Sequence, residues 1–470
     1  MTSSAKPLQN DFQSFAEDAV GKVAGLQDIQ ALVDADATIQ AESSSASSAS
    51  SENVSGSSAA VSTTESNQAI GESTSGASSI EVKADAGLQG VASSTASSSA
   101  STSNGIAEAF TEMGEGLGVS LTKLDVGGEL SGLGQSSNSL SADSESVTGD
   151  STATSGLTGS IQGFNSEIQN TIDSDASIQG LAQLVNNASA ASTGTSSAAS
   201  SATAIADAGK LHGADLGINT DIGGVADIGG QVDFNATAAS SNVTGSAIAG
   251  ASLGDVKDGF AVPTSASYSP TTGVDLGALT TQASGLAQGL VTGTNSTAAY
   301  GTDIKSDGTL QGFANLSNTA DASTTDGAAA AGAYANTIDG AALGDVSIGG
   351  VGSLTGSANF AGSASSSNVG DAAGDISGAV SQLNDIDGLE ATADLNVASD
   401  AGISGLAAVD LGSSAESTSG GYAFASAQAG TLQGAELGAT DIGGVGSVAG
   451  ETSLTSGAAS SNVSGQAISL

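Results

Sequence analysis

The sequence predicts an all-β fold, a β-solenoid (β-helix) repeat array, with a short amphipathic helix at its N-terminus. Two observations carry the solenoid prediction: a long sequence unit that occurs three times, and alanine at every second position ahead of one element of that unit. The 470 residues also contain only 3 Pro, as expected when most strands need every backbone N–H for pairing.

The repeated unit lies in the second half of the chain. Its middle element reads Leu-His-Gly-Ala-Asp-Leu-Gly from Leu211, Ile-Asp-Gly-Ala-Ala-Leu-Gly from Ile338 and Leu-Gln-Gly-Ala-Glu-Leu-Gly from Leu432, and each copy is followed by Ile-Gly-Gly-Val. A related element, such as Ile-Gln-Gly-Leu-Ala-Gln-Leu from Ile178, precedes each copy. Self-similarity at about 30 residues predicts a stack of coils of that length, about 15 if the whole chain coils.

Alanine alternates with variable residues just before each middle element. The alternating positions are Ala202, Ala204, Ala206, Ala208, Ala329, Ala331, Ala333, Ala335, Ala423, Ala425, Ala427 and Ala429. Period two is the strand period, and a helix would scatter these residues around its circumference. Because alanine is a poor strand former, we expect this face to pack against another sheet at a separation that only a methyl group fills. The interleaved positions are then expected to face solvent.

Glycine stands two residues after the Ile or Leu that begins each element, as in Gly180 and Gly213. We expect these glycines at the corners between strands, where a positive φ favours glycine.

The N-terminal segment has a different pattern. Between Pro7 and Gln40, apolar residues including Phe12 and Phe15 recur at spacings of three and four, which predicts one stripe of a helix. This helix is either an assembly or export element that docks on a partner, or a cap that packs on its own chain.

The chain divides into three regions. Residues 1–41 form the helical cap or docking segment, residues 42–160 are Ser/Ala/Gly-rich degenerate coils or partly disordered chain, and residues 161–470 form the solenoid. The three long repeat units of the solenoid lie at about 178–256, 310–376 and 403–470.

Charge and composition exclude several functions. The chain has 49 Asp and Glu against 7 cations, all lysine, and a net charge of −42. Such a chain repels nucleic acid, and without an apolar run of about 18 residues it is not expected to insert into a membrane. It has no Cys, and its single histidine, His212, fills a position where other copies carry Asp339 or Gln433. We therefore expect no enzymatic activity.

Calcium is the one cofactor that the sequence raises. Gly-Gly-Val-Ala-Asp, ending at Asp227, and Gly-Gly-Gln-Val-Asp, ending at Asp233, loosely match a calcium-binding nonapeptide repeat but lack its third glycine. These two aspartates are the candidate metal ligands, while loose association of divalent cations with the many carboxylates is the alternative.

The last repeat unit stops partway round a coil. Its end, from Val463 through Ile468 to Leu470, matches a segment near residue 243 that continues directly into another coil. An open coil exposes unpaired backbone groups, so a second copy is expected to complete it head to tail, with Phe12 and Phe15 of the N-terminal segment taking part. An uncleaved C-terminal export signal, or capping by the N-terminal helix, are the alternatives.

In overall character, the chain resembles bacterial surface-fibre and adhesin proteins: it is acidic, free of cysteine, rich in Gly, Ala, Ser and Thr, and has no Sec-type signal. This resemblance implies an extracellular or cell-surface protein exported by another route, such as type I secretion. We expect a structural protein that polymerises with itself into a filament or biofilm matrix; the alternative is a monomeric adhesin or a glycan- or ice-binding solenoid.

Overall fold

The computed structural model describes residues 26–470 except 28–29, 55–57, 72–78, 158, 194–199, 217–219, 254–293, 300–301, 370–375, 392, 419–421 and 464–465. Every regular element in this part of the chain is a β-strand, and neighbouring strands pair in parallel. Within the described residues, no helix is long and apolar enough to cross a membrane.

The strands are β1 (Leu26–Gln27), β2 (Gln30–Val33), β3 (Ala37–Asn53), β4 (Ser58–Gly71), β5 (Ser79–Val82), β6 (Ala86–Thr102), β7 (Ala107–Val126), β8 (Leu130–Ser146), β9 (Ser151–Leu157), β10 (Ser160–Ile172), β11 (Ala176–Ser192), β12 (Ser200–Ala208), β13 (Lys210–Leu216), β14 (Thr220–Ile222), β15 (Ala226–Leu253), β16 (Thr294–Ala299), β17 (Thr302–Ile304), β18 (Gly308–Leu343), β19 (Val346–Ile348), β20 (Gly352–Asn368), β21 (Ile376–Ala391), β22 (Leu395–Val397), β23 (Ala401–Ser417), β24 (Tyr422–Leu437), β25 (Thr440–Ile442), β26 (Gly446–Asn462) and β27 (Gln466–Ser469).

These strands form a β-solenoid, as predicted. In one coil, the long strand β11 leads out, β12 and β13 return on the opposite side, and the short strand β14 leads back to the start. The next long strand, β15, then lies directly beside β11, with Ala176 paired to Ala226. Each coil thus contributes one strand to each of the stacked sheets.

In the described part of the chain, nine long strands stack in register, and we number the coils after them. They cover residues 37–53, 86–102, 130–146, 176–192, 226–242, 308–324, 352–368, 401–417 and 446–462, as coils 1 to 9. At about 4.8 Å between neighbouring strands, this stack is about 40 Å long.

The coil is longer than the sequence predicted. Asp85 and Glu129, at equivalent corners of successive coils, are separated by 44 residues, and Asp175 and Val225 by 50 residues. The shorter spacing seen in the sequence instead separates two elements of one coil: Ile178 lies in the long strand and Leu211 in the return strand opposite it. Each element contributes a glycine to the same backbone contact, Gly180 from the long strand and Gly213 from the return strand.

The repeated glycines lie inside strands, so their predicted place at corners is wrong. A Cβ atom added to Gly180 would lie 1.8 Å from the carbonyl oxygen of Gly213. The long and return strands therefore touch backbone to backbone at these positions, and only glycine fits. Glycines with positive φ do occur at the corner after the long strand, for example Gly149 (φ 128°) and Gly245 (φ 118°).

The glycine contact separates the core into two lobes. One lobe contains the alanine ladder together with larger residues of the long strands, such as Leu184 and Phe234. The other lobe is enclosed by the start of the long strand, the end of the return strand and the short strand, and contains Ile178, Leu216 and Ile222.

The alanines predicted to form a ladder lie on the inner face of the return strands. Eleven of the twelve are at most 9% exposed, and Ala429, in the last full return strand, is partly buried. The interleaved residues do not all face solvent as expected: Ile205 is 9%, Tyr334 3% and Phe424 8% exposed. Side-chain size does not explain this burial, because the interleaved Thr203 is buried as well, at 2% exposed.

The predicted N-terminal helix does not extend into the described residues. Residues 1–25, with Phe12 and Phe15, lie outside them, whereas Gln30–Val33 is a strand that pairs with Ser79–Val82. This part of the helix prediction is wrong, because pairing with the neighbouring coil overrides the local helical pattern. Between residues 42 and 160, where disorder was the alternative, the chain forms strands β4 to β9 and most of β3.

Candidate functional site

The two ends of the stack expose strand edges. Among the described strands, β3 of coil 1 pairs only with β6, and β26 of coil 9 pairs only with β23. Each of these 17-residue strands therefore presents one row of backbone N–H and C=O groups to which no other described strand is paired. Such an edge is a template for another strand.

The last coil also exposes apolar side chains that belong to the inner face. Val448 and Leu454 are 55% and 52% exposed. Their neighbours in coil 8, Ile403 and Val409, occupy the same positions and are 2% and 3% exposed. The difference arises because coil 8 has a coil on either side, whereas coil 9 has a described neighbour on one side only.

The inward positions of the first coil hold smaller and more polar residues, and Ser43 among them is only 6% exposed. Its inward positions include Ser43, whose hydroxyl donates to Asn67 Oδ1, and Ser47, whose Oγ atom lies 2.7 Å from Ser62 Oγ. Ile39 is 2% exposed in the same strand.

The two end strands have matching columns, where a column is the set of residues that pair through successive coils. Position by position, Ile39 corresponds to Val448, Ser45 to Leu454, Ala49 to Ala458, Ser51 to Ser460 and Asn53 to Asn462. A strand of coil 1 placed on coil 9 would thus continue each ladder with a residue of similar or smaller size.

One outward column opposes such stacking. Glu42 and Glu451 occupy the same column on the outer face of the long strands. Like charges placed opposite each other on neighbouring strands are destabilising, and the repulsion is screened by salt.

The residues predicted for assembly lie in the last coil, with the exception of Phe12 and Phe15. Val463 and Leu470 are 78% and 61% exposed. Ile468 lies beside Phe424 on the return strand, and the Leu470 N–H donates to the Ala425 carbonyl oxygen at 3.0 Å.

The sequence reasoning missed Val448 and Leu454. Their alignment with the apolar residues Ile403 and Val409 would have identified them as inward positions, but that alignment can be made only when the true coil length is known. With the shorter coil that the sequence suggests, these positions do not fall into one column.

The candidate metal ligands Asp227 and Asp233 are not brought together. They lie six residues apart on the outer face of one strand, about 20 Å at 3.3 Å per residue. Asp233 Oδ2 instead accepts hydrogen bonds from the side-chain amides of Gln231 at 2.8 Å and Gln183 at 3.3 Å. The two carboxylates therefore do not bind one ion together.

A shallow groove of about 840 Å³ runs along the stack on the outer face of the long strands. Successive coils contribute polar side chains to it. Phe313, two residues before the groove residue Asn315, is also exposed. The outward-facing polar residues of the groove include Ser93, Thr95, Ser137, Ser139, Gln183, Asp233, Asn235, Asn315, Ser317, Asn359, Asp410, Ser453 and Thr455. The groove therefore repeats hydrogen-bonding groups at the spacing of the coils.

No family model matches the chain, and neither a curated protein nor a solved structure is similar to it. Function is therefore inferred from the geometry of the solenoid.

Proposed function

We propose that the protein is a non-enzymatic structural protein that stacks head to tail with copies of itself, coil 9 of one copy on coil 1 of the next. The product is a filament or matrix outside the cell or at its surface. Because the two contact surfaces differ, the contact is heterologous. Copies that stack along the axis of the solenoid do not close into a ring, so they form a fibre.

The observation that carries this proposal is the correspondence of columns between β3 and β26. Both strands have 17 residues, and both have an edge that no other described strand occupies. Stacking would pair these backbone groups and bury Val448 and Leu454 beneath Ile39 and Ser45.

Substitution of Leu454 by aspartate tests the proposal. Purified wild-type protein is expected to form filaments that are visible by negative-stain electron microscopy and that sediment. In Leu454→Asp, a charge would be buried in the contact, and filaments are expected to disappear. The matched control is Ser453→Asp, at the neighbouring outward position of the same strand, which should assemble as the wild type does.

Circular dichroism verifies that both variants keep the β-fold. Equal filament formation by Leu454→Asp and wild type, or a wild-type protein that stays monomeric at all concentrations, would overturn the proposal.

The groove favours a second candidate function, a monomeric surface adhesin that binds an extended glycan. Its polar groups recur in successive coils, as a linear polymer with repeating hydroxyls requires, and Phe313 (42% exposed) offers an apolar face beside them. Co-sedimentation with insoluble polysaccharides tests this candidate. Binding that Asn315→Ala and Asn359→Ala weaken, in a protein that remains monomeric, would favour it over assembly.

A further inference from the structure

Three carboxyl groups meet on the return strands of coils 6 and 7, on the strand face opposite the core residues Ile338 and Ile386. Asp339 and Asp387 are paired neighbours on adjacent strands, and Glu390 follows Asp387 by three residues. One carboxylate oxygen from each of the three residues lies within 4.8 Å of the others.

We propose that Asp339, Asp387 and Glu390 form a calcium site that joins coils 6 and 7. Calcium binds oxygen ligands at 2.3–2.6 Å, so two ligands of one ion are at most about 5 Å apart. The separation of the three oxygens is within this limit. Calcium accepts a variable number of ligands, and backbone carbonyls or water can complete its shell.

The second observation is that two of these carboxyl groups lack a partner. Asp339 is 2% and Asp387 4% exposed, and the Oδ1 atom of each is buried without a hydrogen-bond donor. A buried carboxylate without a partner costs several kcal/mol or takes up a proton. A cation between them satisfies both groups at once.

Other coils carry a hydrogen-bonded donor–acceptor pair at the same position. In coil 8, Gln433 occupies the column of Asp339 and Asp387, and its amide donates to Glu436, the counterpart of Glu390, at 2.8 Å. In coil 3, Asn165 donates to Gln162 at 2.7 Å across the same three-residue spacing. Coil 7 replaces this donor–acceptor pair by the acids Asp387 and Glu390, and coil 6 by Asp339 and Ala342. Among the described residues, no cation is paired with these acids, and a bound cation would supply the missing charge.

The surroundings of the three carboxyl groups are acidic. Burial, and then the charges of neighbouring acids, raise the pKa of Asp339 to about 8 and that of Asp387 to about 7. Asp385 and Glu436 also face this group and contribute to these shifts, whereas Lys83, Lys123 and Lys305 form their ion pairs at other coils.

Isothermal titration of the full-length protein with calcium chloride at pH 8 tests the proposal. The wild type should show one saturable site, and Asp387→Gln, which recreates the Gln433–Glu436 arrangement, should bind at least tenfold more weakly. Asp227→Asn, which removes an exposed carboxylate, is the matched control and should bind as the wild type does. The proposal does not depend on filament formation, so variants that block assembly are expected to retain the site.

The same unsaturable response in all three proteins would mean that calcium only screens surface charge, and would overturn the site. If Asp387→Gln does not fold, Asp339→Asn, which removes another of the three carboxylates, takes its place and should also bind at least tenfold more weakly. Saturable binding of wild-type strength in this variant would also contradict the proposal.

Discussion

The Oδ1 atom of Asp175 accepts a hydrogen bond from the backbone N–H of Val225, 2.8 Å away in the next coil. The same bond joins Asp307 to Val351 at 2.7 Å and Asp400 to Val445 at 2.8 Å. In each case, an aspartate at the corner before one long strand satisfies a backbone group at the corner before the next.

This bond explains the recurrent Ile-Gly-Gly-Val. A Cβ atom on Gly224 would lie 2.1 Å from Asp175 Oδ1, and one on Gly350 would lie 2.2 Å from Asp307 Oδ1. From coil 2 onward, corners that carry the aspartate therefore alternate with corners that carry two glycines.

Removal of one such carboxylate should open its corner locally. In Asp175→Ala, the Val225 amide is expected to exchange with solvent about tenfold faster, because a hydrogen bond to a charged group contributes about 1.5–3 kcal/mol. Asp175→Asn keeps an acceptor oxygen and is the control. Hydrogen exchange of the Val225 amide is measured by mass spectrometry on peptides that contain residue 225. Equal protection of this amide in all three proteins would contradict the prediction.

The backbone contact between sheets should not tolerate a methyl group. Gly180→Ala is expected to destabilise the fold by at least about 2 kcal/mol through overpacking. Gly378→Ala is the control, because a Cβ atom there meets nothing within 4 Å, and it should be neutral or slightly stabilising. The measurement is the urea midpoint followed by circular dichroism; similar midpoints for the two variants would show that the sheets can separate at no cost.

The alanine ladder should likewise reject larger side chains. Ala204 is 0% exposed and its neighbours above and below, Ala153 and Ala249, are also alanine. Ala204→Leu is expected to lower the thermal unfolding midpoint through a loss of about 1–3 kcal/mol. Ala361→Leu places the same side chain at an exposed position and should have little effect. A ladder variant as stable as this control would mean that the lobe contains spare volume.

Stability in the absence of divalent cations should fall as the pH rises. The folded protein holds protons on Asp339 and Asp387, whose pKa values are raised to about 8 and about 7, while the unfolded carboxyls release theirs near pH 4. The free energy of unfolding is therefore expected to decrease between about pH 4 and pH 8.

The acidic net charge contributes to the same trend, so the test compares the wild type with Asp387→Gln in EDTA. The urea midpoint of the variant should depend less on pH over this range. Parallel curves for the two proteins would assign the whole effect to surface charge.

Assembly should depend on salt through one pair of acids. If coil 1 stacks on coil 9, Glu42 lies opposite Glu451, and Glu451→Gln should assemble at lower ionic strength than the wild type. Turbidity and sedimentation at low and moderate sodium chloride concentration measure this shift. Glu416→Gln, which removes an acid from the long strand of coil 8, controls for net charge. Identical salt dependence of the two variants would indicate that the end strands do not meet in this register.

The sequence predicted the solenoid because alanine at every second position fits the two-residue period of a β-strand and not the 3.6-residue period of a helix. It did not predict the coil length, because Ile178 and Leu211 begin similar elements on opposite sides of one coil. The glycine contact was missed for a related reason. A Cβ atom does not fit at Gly180 because Gly213 lies against it across the core, and the sequence does not show that the two face each other.

The acidic cluster could not be found from sequence either. Asp339 and Asp387 are distant along the chain, and only the stacking register makes them neighbours. The sequence repeat already aligns Asp339 with Gln433, but only the correct coil length adds Asp387 to the same column.

Alternation of the two corner types also restricts how such a chain can change in length. Loss or duplication of a single coil would set two aspartate corners against each other, or two glycine corners with no carboxylate between them. From coil 2 onward, insertions and deletions that keep this alternation must therefore come in even numbers, so the heritable building block of that part of the molecule is a pair of coils.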